Sequence, residues 1–267
     1  MPEISVIMGV YNANRNNMID LSVRSIIDQT YTDWELIICD DASTDGTLEA
    51  LKRYAQKDKR IKVIHNAKNH GLAYSLNRCL KLSRGDYIAR MDIDDFSIPG
   101  RLAIQKSALE HRRDCAFCTC NALLFDQNGV WGKRIMQEYV EKRDFLFTSP
   151  FIHAALLADR KVFDEIQYSE RRASKRAEDY ELFMNAYANG YRGFNIQKEL
   201  YCIREDKECY ARRKYRERWF EAYIRWKGFW SLGLMPVGIL YVIKPLIVGL
   251  IPQNVLRKLR GNTVMRR

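Results

Sequence analysis

Short unbroken apolar runs alternate with amphipathic stretches along the first hundred residues. Ile4–Val10, 34–39, Ile61–His65 and 87–91 read as buried strands. Between them, Ile19, Val23, Ile26 and Ile27 share one helical face over 18–29. A second helix pattern holds Leu48, Leu51, Tyr54 and Ala55, and a third covers Leu72–Leu82. This alternation predicts a parallel sheet with helices on both faces. Further on, 99–111 reads as a helix, and 116–125 with 130–135 as a hairpin around Gln127-Asn128-Gly129. Residues 177–189 form a helix pattern closed by Gly190, and 200–203 is strand-like, while the rest of 136–200 is mixed. There is no internal repeat and no low-complexity segment.

In open α/β sheets, ligands bind outside the carboxyl ends of the strands. The acidic clusters 40–45 and 92–95 both fall at such ends. Asp92 and Asp94, two apart, point to one face of an extended chain, and a turn brings Asp95 near. Converging carboxylates repel one another unless a cation lies between them, and hard oxygen ligands select Mg²⁺ or Mn²⁺. A solvated acidic turn is the alternative, disfavoured by the apolar strand that leads into it. At the earlier strand end, Asp40-Asp41-Ala42-Ser43 offers a carboxylate for ribose hydroxyls or a base imide. Ser43 or Thr44, with Thr47, also suit caps of the following helix.

Taken together, several strings resemble the family 2 glycosyltransferases. They are Val6-Ile-Met-Gly-Val-Tyr11-Asn12, Gln29-Thr-Tyr-Thr-Asp-Trp-Glu-Leu-Ile-Ile-Cys-Asp40-Asp41-Ala-Ser-Thr-Asp-Gly-Thr, Asn69-His-Gly71-Leu, Arg84-Gly-Asp-Tyr-Ile-Ala-Arg-Met-Asp92-Ile-Asp94-Asp95 and Pro99-Gly-Arg101-Leu102. The match runs in order over about residues 4–200. It implies a GT-A fold, a Rossmann-like mixed sheet flanked by helices, that binds a nucleotide-sugar, UDP-linked by expectation, and a divalent metal, Mn²⁺ or Mg²⁺. By the same resemblance Asp94 is the main metal ligand, and Asp92 reaches the metal or the ribose. Tyr11 and Asp41 hold the base, and Gly71 allows close backbone approach. The family's later acidic pair corresponds to Glu178-Asp179, which makes Asp179 the general base that takes the acceptor's proton during inversion. Metal charge on the departing diphosphate makes a second protonated carboxyl unnecessary. Two helix-initial acids favoured by the helix dipole are the plainer reading of the same pair. Glu178 and His153 are candidates for acceptor or diphosphate contact, and Arg204 and Lys207 for phosphate. The sequence lacks the Gln-x-x-Arg-Trp motif of processive synthases and an array of membrane helices, which favours one sugar per encounter.

Charge then divides the chain. The 267 residues carry 44 Lys+Arg and 33 Asp+Glu, a formal +11. Residues 204–267 hold 15 Lys/Arg and 5 Asp/Glu, a net of +10; residues 1–203 hold 29 and 28, a net of +1. We therefore read 1–203 as the catalytic domain and 204–267 as a basic, membrane-associating helical extension. Within it, the apolar stretch 232–251 is broken by Pro236, Lys244 and Pro245. A central Lys costs about 2.5–3.5 kcal/mol on insertion scales. Interfacial or re-entrant attachment to an anionic membrane surface is favoured over a true span, and a soluble helical subdomain ranks third.

The start Met1-Pro2-Glu3 leads straight into a short apolar run, unlike a secretory signal. The seven cysteines (39, 79, 115, 118, 120, 202 and 209) include one CxxC at 115–118 without a complementary pair, so core packing is expected over zinc. A reducing compartment and work at the cytoplasmic membrane face follow. The expected reaction is transfer of one sugar to a lipid-linked glycan acceptor in cell-surface polysaccharide synthesis. Two other classes fit parts of the chain. A nucleotidyltransferase acting on a sugar phosphate needs a glycine-rich basic loop after the first strand, where only Gly9 and Arg15 stand. A nucleic-acid binder using the basic tail lacks any accompanying recognition motif, and no nucleic-acid partner is expected.

Overall fold

A computed structural model describes residues 1–15, 17–171, 174, 177–205 and 215–250. Its first half follows the alternation of the sequence. Ile4–Val10 (β1), Trp34–Asp40 (β2), Ile61–His65 (β3) and Tyr87–Arg90 (β4) are linked by Met18–Ile27 (α1), Thr47–Lys57 (α2) and Leu72–Leu82 (α3). β1 lies between β2 and β4, β3 lies outside β2, and all these pairings are parallel. Both faces of these strands are covered, which explains why they read as continuous apolar runs rather than alternations. Val6, Met8, Leu36 and Ile38 face one core with Val23 and Leu102, while Ile7 and Ile37 face the other with Leu76.

Beyond β4 come Phe96–Ser97 (β5), Arg101–His111 (α4), the hairpin Phe117–Asp126 (β6) and Gly129–Arg134 (β7), Leu157–Asp159 (β8), Arg160–Glu165 (α5), Glu178–Ala188 (α6) and Gly193–Arg204 (β9). β8 runs antiparallel to β4 and to β6, whereas β9 is parallel to β6. The sheet is therefore mixed, with order β3-β2-β1-β4-β8-β6-β9-β5 and β7 beside β6. The reversal falls in the stretch where the sequence has no clear period. β9 is also longer than the strand-like 200–203, because its polar Gln197, Lys198 and Glu199 hide the alternation. Cys118 and Cys120 are fully buried in β6, as core packing requires.

The segment after β9 continues into the core. Tyr215–Ser231 (α7) and Ile239–Leu250 (α8) follow. Ala222, Ile224 and Phe229 of α7 share a cluster with Phe183, Met184 and Tyr187 of α6. The apolar stretch 232–251 is split by the turn that precedes α8, and no described helix is long and apolar enough to cross a membrane. Residues 206–214 and 251–267, including Lys207 and much of the basic charge, lie outside the described residues.

The sheet tolerates little addition where β4 begins. A Cβ built on Gly85 would stand 2.6 Å from the Ser5 backbone nitrogen and 2.8 Å from the Ile4 carbonyl carbon. Neither is the end of a flexible side chain. Gly85→Ala is expected to lower unfolding stability by about 1–3 kcal/mol, measured by urea titration.

Candidate active site

The ends of β1 and β2 are tied together by polar contacts that run across two sequence motifs. After β1 the backbone enters the left-handed region at Asn12. Its N–H donates to Ser43 Oγ at 2.9 Å, and Ala13 N–H donates to Thr47 Oγ1 at 2.8 Å. Asn14 N–H donates to Asp45 Oδ2 at 2.9 Å, and Thr44 N–H returns to Asn12 Oδ1 at 2.9 Å. Ser43 and Thr47 thus hold the first loop. They do not cap α2, whose N-cap is Gly46 with a left-handed backbone and no side-chain bond. This clasp presents the half-exposed Tyr11 at the rim of a cavity.

That cavity, about 290 Å³, is lined by Gly9, Val10, Tyr11, Asp41, Asn69, Gly71, Leu72 and Ser75. Its size is near the lower end of small-molecule sites, about 300–1,000 Å³. Tyr11, Asp41 and Gly71, from three separate motifs, meet there. Asp41 is buried, and its carboxylate accepts from His70 N–H at 2.9 Å, Gly71 N–H at 2.7 Å and Asn66 Nδ2 at 2.6 Å. It therefore fixes the loop before α3 as well as lining the cavity. Gly71 has φ +96, a conformation that L side chains rarely adopt, and nothing lies within 4 Å of an added Cβ. Backbone conformation and an open wall both favour glycine at that point. A larger open cavity of about 540 Å³ between α1 and α2 shares no lining residue with this one and contains none of the Asp92 cluster.

The second acidic cluster lies at the end of β4, next to β1. Asp92, Asp94 and Asp95 can each bring a carboxylate oxygen within 4.8 Å of the others, and they are the metal-capable group among the described residues. Asp92 is paired with the buried Arg90 through both terminal guanidinium nitrogens, one at 2.6 Å. Its backbone N–H donates to the Tyr201 hydroxyl at 3.1 Å. Asp94 is exposed, and Asp95 is buried, accepting from Arg204 N–H at 2.8 Å. Burial, followed by the charges of Asp92 and Asp94, pushes the Asp95 carboxyl well up. Loss of solvation and then the Asp92 charge raise Asp94 as well, opposed by Arg90 and Arg204. Three oxygen donors that disfavour one another's charge suit a hard divalent cation, which would relieve the repulsion. Because Arg90 grips Asp92, Asp94 is the carboxylate most open to such an ion.

A third group lies around Tyr168. His153 Nε2 is 2.8 Å from the Tyr168 hydroxyl, and both residues are buried. Asn77 of α3 anchors the same segment through Tyr168 N–H at 3.0 Å and Tyr168 O at 2.9 Å. Burial pushes the Tyr168 phenol up; Arg90 opposes this, and Glu178, Asp92 and Asp179 add to it. The acidic pair that opens α6 and the cluster at the end of β4 thus act on one hydroxyl. Glu178 and Asp179 are half-buried in the first turn of α6, where the helix dipole favours anions. The next acid, Glu181, is structural: it is buried and pairs with Ser174 and Lys227.

Arg90, Tyr168, Tyr201 and Asn66 escaped the sequence reading. For Arg90 there was a signal, since a guanidinium in an apolar strand needs a buried partner.

A family model described as "Glycosyl transferase family 2" matches residues 5–167. EpsE of Bacillus subtilis (strain 168) is 39% identical over 99% of this chain and 95% of its own length. WfgD of Escherichia coli, named as a UDP-Glc:alpha-D-GlcNAc-diphosphoundecaprenol beta-1,3-glucosyltransferase, is 29% identical over 68% of each chain. Among solved structures, Staphylococcus aureus TarS residues 1–349 with UDP-GlcNAc aligns at TM-score 0.69 and 20% identity, over 92% of this chain and 70% of that one. The mannosyltransferase PcManGT of Pyrobaculum calidifontis, in complex with GDP-Man and Mn²⁺, aligns at TM-score 0.62 and 18% identity over 100% and 81%. These likenesses establish the GT-A fold.

The His153 environment makes a prediction about pH. Burial, and then the Arg90 charge, hold its imidazole well below the ordinary value, so the folded protein keeps it neutral. The unfolded chain binds that proton near pH 6.5. Its contribution to stability is therefore complete above about pH 6.5 and is lost as pH falls below it, by up to about 1.4 kcal/mol per pH unit. His153→Asn should flatten the decline in urea-unfolding stability between about pH 7 and 5. An unchanged slope would contradict a neutral imidazole.

Proposed function

This chain belongs to the family 2 glycosyltransferases, and from the layout of its site we propose that it moves one sugar, with inversion, from a UDP-sugar to a hydroxyl of a lipid-linked or otherwise membrane-held glycan during cell-surface polysaccharide synthesis. The observation that carries this reading is one of adjacency. Tyr11, Asp41 and Gly71 line a single cavity at the ends of β1 and β2, and the Asp92 cluster closes the end of neighbouring β4. The base rests against Tyr11 and Asp41, Gly71 lets the protein backbone approach the nucleotide closely, and the diphosphate extends toward Asp94.

Asp179 accepts the proton of the acceptor hydroxyl. The freed oxygen bonds to the anomeric carbon as the bond from that carbon to the diphosphate oxygen breaks, and the electron pair leaves with the diphosphate. Mn²⁺ or Mg²⁺, when held by Asp94 with Asp92, supplies positive charge for that departing group. Asp92 stays oriented by Arg90 and presents its outer face to the ribose or the ion. Glu178, beside Asp179, helps to place the acceptor. His153 acts through Tyr168, since its Nε2 is already engaged there. The basic C-terminal segment holds the enzyme at the cytoplasmic face of the membrane, where an anionic leaflet attracts it.

Two substitutions separate these roles. Asp179→Asn should slow transfer by about 10²–10⁴-fold while leaving metal-dependent nucleotide-sugar binding in calorimetry nearly intact. Asp94→Ala should lose the metal-dependent part of donor binding. Turnover retained in the first variant would remove Asp179 as base, and unchanged donor affinity with metal in the second would remove Asp94 as ligand.

A further inference from the structure

Large apolar side chains are exposed in one part of this molecule more than elsewhere. Nineteen are exposed among the described residues, and ten of them lie between Tyr215 and Ile247. On α7 they fall at 215, 219, 223, 226 and 230, a spacing of four, four, three and four that keeps them on one side of the helix. Trp219 is 57% exposed and Trp230 is 67% exposed, and Trp226 stacks on Trp230 with ring centroids 6.1 Å apart. The opposite side of α7, with Ala222, Arg225 and Phe229, is buried against the body. α8 repeats the arrangement: Leu240, Ile243 and Ile247 are exposed at helical spacing, and Val242 is buried. Exposed Lys244 borders that face.

Charge identifies what covers this surface. From Ala222 to Arg267 the chain contains no Asp or Glu, and besides the inward-paired Arg225 and Lys227 it contains Lys244, Arg257, Lys258, Arg260, Arg266 and Arg267. Tryptophan and tyrosine combine an apolar body with a polar tip and collect at membrane–water boundaries. Cations beside them favour an anionic headgroup layer. A protein partner or a second copy would bury the aromatics equally well, but neither accounts for the absence of acids from residue 222 onward.

We propose that α7 and α8 form a monotopic membrane-interface element, with the aromatic side of α7 and the exposed side of α8 seated in an anionic bilayer surface. At about 1.5 Å per residue, α7 lays about 25 Å of its length along the interface. It then fixes the height of the active site. Lys227 Nζ reaches Glu181 of α6 at 3.0 Å, Arg225 donates to Leu146 O at 3.1 Å, and Gly228 packs directly on Met184. α6 opens with Glu178 and Asp179, so the helix that meets the acceptor is carried on the helix that meets the membrane. This last step rests on the proposed transfer reaction; the surface itself does not.

The test uses the full chain in flotation with vesicles of phosphatidylcholine, alone and with phosphatidylglycerol. The wild type should float with the anionic vesicles and less with the neutral ones, and added salt should weaken binding. The combined variant Trp219→Ser, Trp226→Ser and Trp230→Ser should lose at least tenfold in partition while keeping its circular dichroism and UDP-sugar binding. Brominated lipids should quench wild-type tryptophan fluorescence, a reading that needs no variant. Absence of vesicle binding, partition unchanged by the variant, or an oligomer in sedimentation that the variant dissociates would each overturn the proposal. Vesicle binding without nucleotide-sugar binding would sustain the surface and overturn the transfer reaction instead.

Discussion

The site depends on how negative charge is managed at the end of β4. Three aspartates in four residues are held at one place by a strand whose interior is apolar. Charge on Asp95 is disfavoured by its burial and by its acidic neighbours, and the fold offsets this from below. Arg90 reaches the carboxylate of Asp92, and the Arg101 guanidinium donates to Arg90 O at 3.1 Å and lies over the Tyr201 ring at 5.2 Å. Tyr201 in turn receives the Asp92 N–H. One carboxylate is therefore balanced within the protein, another is buried, and a third remains open. The partition leaves room for one external cation without requiring the site to collapse around its own charge.

The cavity at the ends of β1 and β2 is organised by a different device. Its carboxylate, Asp41, accepts two backbone N–H groups and one amide from the segment 66–71. The same bonds hold Gly71 where its left-handed backbone opens the wall of the cavity. The clasp between 12–14 and 43–47 performs the equivalent task for Tyr11. Both loops are thus positioned before a ligand arrives, which lowers the entropy lost on binding.

Much of this was legible in the chain. The first four strands and their helices follow from periodicity, because β1, β2 and β4 are buried on both faces and each helix on one, while the exposed β7 is marked by the turn at Gln127-Asn128-Gly129. Tyr11, Asp41 and Gly71 were singled out from separate motifs, and they meet in one cavity. What sequence could not convey was pairing between distant residues. Nothing in the spacing of His153 and Tyr168 reveals that they share a hydrogen bond. The hydroxyls of Ser43 and Thr47 look like helix caps until the path of the first loop is known. The reversal at β8 was hidden for the same reason, since a three-residue strand between short turns carries no period.

The division of charge at residue 204 takes on a different meaning once packing is included. A boundary in composition need not be a boundary in structure, and α7 begins after it yet buries Phe229 and Ile224 in the same cluster as α6. Its charged residues are split between two tasks. Arg225 turns inward to Leu146 O and Lys227 to Glu181, where they secure the helix to the body. Its outward side is largely aromatic. Positive charge in this segment therefore cannot be counted as a uniform patch. Part of it couples α7 to the helix that opens with Glu178 and Asp179, so a force applied to the outer surface of α7 is transmitted to α6.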